Sequence, residues 1–250
     1  ARDADAVVHL AAVVGQPACA AAPNDAHSVN VEGTRNLAAV VGRGRPILYA
    51  STSSCYGSVS EGTCDEDTPL RPVSLYGTTK AGAEMILLEQ SDAVVYRIAT
   101  AYGLSPRLRL DLLVNHFVHR ALHDRRITLY QGSARRSFIH VHDVARAIVA
   151  ALENPEPMRG RVFNVGDESQ NMTKMDLCRA IQRIIPDVEI DESSTAQDPD
   201  RRDYLVSYAR IKAQGFRHTI TLADGIRELA GALRWIERRD SFGNPCAAPG

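Results

Sequence analysis

Short apolar runs alternate along the first hundred positions with stretches in which apolar residues recur at helical spacing. The runs at 6–12 (AVVHLAA), 47–50 and 93–98 are typical of strands that are buried on both faces of a parallel sheet. Between them, positions 28–41 and 75–90 show the pattern of helices. This order predicts β-α-β-α-β, a parallel sheet covered by helices, whose ligands lie at the carboxyl ends of the strands.

The second half of the chain has a less regular pattern. It predicts one helix and three strands, at 111–124 and at 127–130, 137–141 and 161–165. Asp143 is placed to cap the helix that follows the second of these strands. Thr173 with Asp176, and Thr221 with Asp224, place a capping hydroxyl three residues before a carboxylate. Two more helices are therefore predicted, the last running to about position 239.

The composition describes a globular protein with no basic face for nucleic acid or membranes. The chain has 250 residues, 29 basic and 30 acidic side chains, and a formal net charge of -1. Positions 6–24 carry no charged side chain, but His9, Gln16 and Pro17 interrupt them and no basic segment precedes them, so no targeting segment is predicted. A cytoplasmic protein is expected.

Cysteine and histidine usage predicts no metal site. The five cysteines are far apart and form no C-x-x-C pair, which argues against a disulfide framework or a zinc site. His116, His119 and His123 share one face of a predicted helix, but no carboxylate or cysteine partner is evident. A solvated or partly buried helix face is the favoured interpretation.

Tyr76 and Lys80 form the most informative pair. A spacing of four at the start of a predicted helix places the phenol and the ammonium on one face. The chain has only three lysines, so a Tyr-x-x-x-Lys match is expected by chance about 0.1 times. A neighbouring cation favours the phenolate, so Lys80 is expected to lower the pKa of Tyr76 and make it a usable base. The alternative is a solvated surface pair.

A hydroxyl cluster, 51–54 (STSS), follows the predicted strand 47–50 at the sheet edge where ligands bind. One of its hydroxyls is placed to bind a substrate oxygen, although a Ser/Thr-rich turn is the simpler interpretation. Strand, hydroxyl cluster, loop and Tyr-x-x-x-Lys form a much rarer combination than either motif alone.

Several further motifs stand in the same order as in a known family. They are NVEGT at 30–34, RSFIHVHDVA at 136–145, VFNVG at 162–166 and RRD at 201–203. With the Tyr-x-x-x-Lys pair, they make the chain resemble the extended short-chain dehydrogenase/reductases, specifically the NAD-dependent nucleotide-sugar epimerases and dehydratases related to UDP-glucose 4-epimerase. The resemblance covers about 5–239.

The resemblance implies an α/β fold with a Rossmann-type doubly wound parallel sheet, truncated at its N-terminus. It divides the chain into an incomplete NAD-binding domain at 1–106, to which 138–165 return, and a smaller C-terminal α/β substrate-binding domain at 107–137 and 166–240. A flexible tail at 241–250 would follow. Many relatives pair through a four-helix bundle, so a homodimer through the helices at 28–41 and 75–90 is expected.

The resemblance also implies roles for single residues. Thr52, Tyr76 and Lys80 would be catalytic. The cofactor, NAD with NADP as the alternative, would lie against Tyr76, Lys80, Leu10, Ala11, Ala12, Asn30, Ala50, Ser51 and Ile98. A nucleotide-diphosphate sugar would lie against Ser53, Ser54, Thr100, Asn115, Arg136 and Arg202, with Arg136 facing the diphosphate.

Departures from the family pattern shape the functional expectation. No G-x-x-G-x-x-G loop is present, and about 60 residues of two β-α-β units are expected to precede Asp5. Ser53 and Ser54 follow Thr52 where dehydratases carry Asp and Glu, which argues against dehydration, and Thr100 replaces an Asn that often touches the sugar nucleotide. A 4-epimerase that acts through a 4-keto sugar is therefore expected. The alternatives are a 4-keto-sugar reductase or dehydratase, and a non-catalytic dinucleotide-binding protein or inactive fragment.

Overall fold

The computed structural model describes residues 4–59, 62–193 and 202–236. The strands are β1 (Val7–His9), β2 (Ile47–Thr52), β3 (Val94–Ile98), β4 (Thr100–Tyr102), β5 (Arg126–Tyr130), β6 (Arg135–His140), β7 (Val162–Val165), β8 (Asn171–Thr173) and β9 (Glu189–Ser193). The α-helices are α1 (Gln16–Ala21), α2 (Pro23–His27), α3 (Gly33–Val41), α4 (Leu75–Gln90), α5 (Leu113–His123), α6 (Val141–Glu153), α7 (Lys174–Ile184), α8 (Ala209–Ala213) and α9 (Leu222–Leu233). Arg201 and the predicted tail at 241–250 lie outside the described residues.

The larger sheet has four parallel strands in the order β1-β2-β3-β7. Its strands are short apolar runs, and β3 is almost completely buried on both faces, as a parallel sheet between helices requires. Helices α3 and α4 pack on one face, where they share a core with Ile47, Tyr49 and Val95. The predicted Rossmann-type α/β fold is confirmed.

Two smaller sheets and the helices α5, α7 and α9 form the other part of the described structure. Strand β6 pairs with β4 in parallel and with β8 antiparallel, while β5 pairs with β9 in parallel. Helices α5, α7 and α9 pack against one another around a second apolar core that includes Phe117, Ile127 and Ile226. A third apolar core, which includes Tyr96 and Phe163, lies on the other face of the four-stranded sheet. The expected division into two domains stays a prediction.

Several predicted boundaries need correction. Strand β1 ends at His9 instead of position 12, and Leu10 beyond it is 58% exposed. The helix predicted from position 28 is continuous with α2, and a π-helical turn at Ser28–Glu32 joins α2 to α3. A π turn adds one residue to the helical repeat, which changes the direction in which its side chains point.

Helix caps were predicted well at two of three sites. Thr173 and Thr221 each accept a hydrogen bond from the backbone N–H of the Asp three residues later. Asp143, however, does not cap α6: His140 does, and Asp143 lies buried in the first turn. Its carboxylate instead accepts hydrogen bonds from the backbone of Thr219 and Ile220, so it fastens a distant loop to the helix.

Within the described ranges, no helix combines the length and the apolar character that crossing a bilayer requires. Across the same part of the chain, no three His, Cys, Asp or Glu side chains cluster as metal ligands do. The histidine face of α5 is partly buried, because His119 packs inward while its ring lies 4.4 Å from that of His123.

Candidate active site

A cavity of about 310 Å³ opens at the carboxyl ends of β1, β2 and β3. The described residues that line it are Leu10, Ala12, Val14, Gly15, Gln16, Ala50, Ser51, Thr52, Ser54, Tyr76, Lys80, Ile98, Ala99, Thr100, Ala101, Arg109, Leu112, Arg202 and Tyr204. This is the sheet edge at which ligands of parallel α/β proteins bind. The three predicted catalytic side chains, Thr52, Tyr76 and Lys80, all line this one cavity.

Thr52 is the last residue of β2 and caps the short 3₁₀ turn that follows. Its hydroxyl oxygen accepts a hydrogen bond from the backbone N–H of Ser54 at 3.1 Å and donates to the Ser54 hydroxyl at 3.0 Å. The turn therefore fixes the Thr52 hydroxyl at the mouth of the sheet. Thr52 lines the cavity, and its role in binding a substrate oxygen stays a prediction.

Tyr76 lies in the first turn of α4, which Ser74 caps by accepting a hydrogen bond from the Gly77 N–H at 3.1 Å. The backbone N–H of Tyr76 has no acceptor within the helix, because it lies in the first turn, and it donates to the side-chain carbonyl of Gln16 at 3.4 Å. The second contact joins α4 to the start of α1, and the Tyr76 side chain lines the cavity together with Gln16.

The pKa of Tyr76 is raised, contrary to the expectation that Lys80 lowers it. Burial raises the pKa of the phenol to about 12, and the opposing contributions come from a hydrogen bond with Thr52 and from the Arg202 guanidinium. The spacing of four predicts that Tyr76 and Lys80 share a helix face, but it does not indicate how deeply they are buried. For the pKa of Tyr76, the loss of solvation outweighs the nearby positive charge.

Lys80 is 2% exposed, and its ammonium lies 4.1 Å from the centre of the Tyr49 ring. Burial lowers the pKa of Lys80 to about 8. No described residue accepts a hydrogen bond from this ammonium, which borders the cavity. A buried ammonium that faces a cavity without an acceptor fits a ligand that brings hydroxyl oxygens, as the ribose of a dinucleotide does.

Five of the residues expected at the cofactor line the cavity in addition to Tyr76 and Lys80. They are Leu10, Ala12, Ala50, Ser51 and Ile98. Ala11, which is exposed, does not line it. Apart from Ser51, these residues offer an apolar wall, which suits the flat face of an aromatic ring.

Asn30 was expected to contact the cofactor, and it does not line the cavity. Its side chain is buried, accepts a hydrogen bond from Val13 N–H at 2.7 Å, and donates to the Val13 carbonyl and the Thr79 hydroxyl, each at 3.0 Å. Asn30 thus ties the loop after β1 to α4 next to Lys80. The π-helical turn that contains Asn30 directs it toward both partners.

Three of the six residues expected at the substrate line the cavity: Ser54, Thr100 and Arg202. The Arg202 guanidinium donates a hydrogen bond to the Ser54 hydroxyl, although the two residues are 148 positions apart. Arg202 therefore closes the cavity beside Thr52.

The other three, Ser53, Asn115 and Arg136, are buried and satisfied by the protein. The Ser53 hydroxyl donates to the Ile98 carbonyl at 3.2 Å, and the Asn115 amide exchanges hydrogen bonds with the Gly103 backbone. Arg136 donates to the backbone carbonyl of Arg202, so it supports a cavity residue instead of facing a diphosphate. The order of the motifs along the chain does not indicate which polar side chains form hydrogen bonds within the protein and are therefore not available to a ligand.

Sequence reasoning missed eight cavity residues. They are Val14, Gly15, Gln16, Ala99, Ala101, Arg109, Leu112 and Tyr204. Two signals were available. Gly15, with a φ of 90°, is the N-cap residue of α1 in the segment after β1, and Ala99 and Ala101 follow β3 at the sheet edge where ligands bind. Arg109 pairs with Asp111 at 2.6 Å at the cavity rim, and no local pattern marks it.

A buried ion pair supports the floor of the cavity. Glu84 of α4 accepts hydrogen bonds from the Arg97 guanidinium and, at 2.9 Å, from the hydroxyl of the cavity residue Ser51. Arg97 also donates to the Tyr56 hydroxyl at 3.1 Å and to the Glu66 carbonyl at 3.0 Å. The carboxyl ends of β2 and β3 are therefore linked to α4 by charge-assisted hydrogen bonds.

Comparisons with known proteins agree with this architecture. The model of the NAD dependent epimerase/dehydratase family matches residues 1–166. The chain is 30% identical to a dTDP-glucose 4,6-dehydratase of Streptomyces griseus, over 98% of this chain and 76% of that protein. It is 28% identical to the low-salt glycan biosynthesis protein Agl12 of Haloferax volcanii, over 90% of this chain and 74% of that one.

Solved structures with similar folds include two enzymes of nucleotide sugars. The UDP-glucuronic acid 4-epimerase of Bacillus cereus, in complex with UDP-glucuronic acid and NAD, superposes with a TM-score of 0.80 at 24% identity, over 93% of this chain and 76% of that one. TunA, an NAD-dependent NDP-hexosamine 5,6-dehydratase of tunicamycin biosynthesis, superposes with a TM-score of 0.80 at 26% identity, over 92% and 77%.

Proposed function

The chain belongs to the NAD-dependent epimerase/dehydratase family, and from this premise we propose that it is a 4-epimerase of a nucleotide-diphosphate hexose. The reaction oxidises C4 to a ketone and reduces it again from the other face. One observation carries the proposal: Thr52, Tyr76 and Lys80 converge on a single cavity at the carboxyl ends of the strands.

The proton chemistry falls to Tyr76 and Thr52. Tyr76 takes the proton of the C4 hydroxyl during oxidation and returns it during reduction, while Thr52 donates a hydrogen bond to the reacting oxygen. With a pKa raised to about 12, the phenol holds its proton at neutral pH, so the resting site is prepared to donate to a ketone. Oxidation requires additional positive charge near the phenol, because a cation favours the phenolate.

NAD is the proposed cofactor, with NADP as the alternative, and when bound it supplies the hydride acceptor and donor. Lys80 donates hydrogen bonds to ribose hydroxyls from a cavity wall that offers it no other acceptor. Ala12, Ala50 and Ile98 provide the apolar surface against which a nicotinamide ring packs. Arg109 and Arg202 offer guanidinium groups to the diphosphate of the substrate.

Two observations favour epimerisation over dehydration. Removing a hydroxyl as water needs an acid and a base beside the sugar, and no described cavity residue carries a carboxylate. Ser53 is turned into the sheet, and Ser54 is held by Arg202. The small side chains of Ala99, Thr100 and Ala101 also leave room for a ketone intermediate to turn. The dehydratases among the relatives make dehydration the second candidate.

The test is incubation of the protein with NAD and either UDP-glucose or dTDP-glucose, followed by proton NMR of the sugar. A 4-epimerase yields the galactose epimer without net formation of NADH. A dehydratase yields a 4-keto sugar with a methyl group at C6, and a reductase consumes NAD(P)H when offered such a ketone. Products of dehydration alone, or no turnover with any of these sugars, would contradict the proposed activity.

We also propose a cytoplasmic homodimer. Val29 and Met85 are 40% and 68% exposed, on the π-helical turn before α3 and on α4, the helices expected in a four-helix bundle. Sedimentation velocity tests this: Met85→Lys should shift the protein toward monomers, whereas Val149→Lys, at an exposed apolar residue of α6 outside the proposed bundle, should not. A cytoplasmic location is supported by the cysteine usage, because the five cysteines are widely spaced and form no C-x-x-C pair.

A further inference from the structure

Tyr49 of β2 lies directly beneath the ammonium of Lys80. The tyrosine is 1% exposed and the lysine 2%, and the ammonium stands 4.1 Å from the ring centre, on the face where a π system carries its negative charge. Burial removes water from both groups, so the attraction between ammonium and ring is stronger here than at a surface.

The other groups around Lys80 contribute little direct bonding. Glu84 of the same helix favours its charged form through space, and the thiols of Cys55 after β2 and Cys19 of α1 lie nearby, with the pKa of Cys55 raised to about 12 by burial. His9 of β1 faces the lysine with a pKa lowered by burial and by the lysine charge. None of the described residues accepts a hydrogen bond from the ammonium. The Tyr49 ring is therefore its nearest stabilising contact.

The Tyr49 hydroxyl takes no part in this contact. It is buried and has no hydrogen-bond partner, although a buried hydroxyl normally has one. His9 lies against the same ring, 5.3 Å between centres, but its Nε2 is paired with the Thr34 hydroxyl at 2.8 Å. A tyrosine whose hydroxyl is unused points to the ring as the functional part of the side chain.

We propose that Tyr49 is a positioning residue, whose aromatic face holds the Lys80 ammonium in place and in its charged form so that it points into the cavity. The proposed role of Tyr49 goes beyond the proposed function, because it concerns the position and charge of Lys80 whether or not a cofactor binds. Only its consequence for cofactor binding rests on that function.

The experiment measures the pKa of Lys80 by NMR of protein labelled with ¹³C at lysine Cε. The chain contains only three lysines, Lys80, Lys174 and Lys212, so Lys174→Arg and Lys212→Arg assign the three signals. No cofactor or substrate is needed. The wild-type signal of Lys80 should titrate near pH 8.

Tyr49→Leu should lower the pKa of Lys80 by roughly 0.4 to 1.5 pH units, the shift that corresponds to loss of a desolvated cation–π contact. Tyr49→Phe should leave it within about 0.3 pH units, because the ring remains. Tyr96→Leu is the matched control: Tyr96 is equally buried in the neighbouring strand β3, but its hydroxyl donates to the Ala147 carbonyl, away from Lys80. It should leave the Lys80 signal in place.

A second variant covers the case in which Tyr49→Leu does not fold. Ring-fluorinated phenylalanine, incorporated at position 49, keeps the shape of the ring while withdrawing negative charge from its face, and should lower the pKa of Lys80 progressively with each fluorine. An unchanged pKa in this series, or an equal shift in Tyr49→Phe and Tyr49→Leu, would overturn the proposal.

A cofactor titration completes the test. Tyr49→Leu should raise the KM for NAD more than it lowers kcat, and Tyr49→Phe should restore it. If the protein shows no turnover at all, the proposed function fails, while the pKa measurement still decides the role of Tyr49.

Discussion

Replacing Glu84 by glutamine should destabilise the whole protein, because it removes the charge from a buried ion pair while keeping the shape of the side chain. The side chains of Arg97 and Glu84 are 6% and 2% exposed, so water cannot replace the lost carboxylate. Arg97 would keep the Tyr56 hydroxyl and the Glu66 carbonyl as acceptors, but its Nε and Nη2 groups would face an amide. Ser51 would lose its charged acceptor as well.

The expected cost is about 3–5 kcal/mol, the range for removing one partner of a buried pair. Single domains are commonly stable by only about 5–15 kcal/mol, so this is a large share of the total. In a domain of this size the melting temperature should fall by roughly 6–20 °C. Urea unfolding followed by circular dichroism gives the free energy of unfolding, and a thermal scan gives the temperature shift.

Glu89→Gln is the matched control, since Glu89 is exposed on the same helix. It should change the free energy of unfolding by less than about 0.5 kcal/mol. Replacing both Glu84 and Arg97 by methionine should recover part of the loss, because no unpaired charge then remains buried. A Glu84→Gln protein as stable as Glu89→Gln would refute the view that this pair supports the cavity floor.

Three further predictions concern the site. Tyr76→Phe should lower turnover by roughly 10²- to 10⁴-fold with little change in stability, measured by the NMR assay and a thermal scan, and near-normal turnover would reject Tyr76 as the proton donor and acceptor. Asn30→Ala should lower the free energy of unfolding by about 1–3 kcal/mol and raise the KM for NAD, because the Val13 backbone loses its buried partner. The control is Asn36→Ala, at an exposed position of α3, and equal effects of the two variants would contradict the role of Asn30. The affinity for NAD should fall as the pH rises through about 8, because the pKa of Lys80 is lowered to about 8 and only the ammonium form donates three hydrogen bonds. Calorimetric titrations at pH 7 and 9.5 measure this affinity, and equal values would argue against Lys80 as a ribose ligand.

Local patterns predicted the elements that frame the site. Helix α4 begins and ends where predicted, because its N-cap serine and its helical pattern act over neighbouring positions. Strand β1 was predicted too long, because the apolar residues after His9 continue as the wall of a cavity instead of pairing in a sheet. An apolar run does not distinguish these two uses.

For the site residues too, local patterns predicted some positions, whereas contacts between distant parts of the chain were missed. Thr52, Tyr76 and Lys80 could be placed together because each lies at a strand end or a helix start. The role of Asn30 could not be predicted from a motif, because its side chain forms hydrogen bonds with Val13 and Thr79, which are distant in the chain. Desolvation of Tyr76 was missed for the same reason: burial depends on the whole fold.

The contact between Ser54 and Arg202 has a consequence for the newly made chain. Residues separated by 148 positions meet there, so a ribosome adding about 5–20 residues per second leaves the cleft open for roughly 7–30 s after Ser54 is made. During that interval the apolar strand ends have no cover from the later segment. A chaperone that binds nascent chains should therefore be found on translation intermediates that stop before Arg202, and should leave those that extend past Ile236.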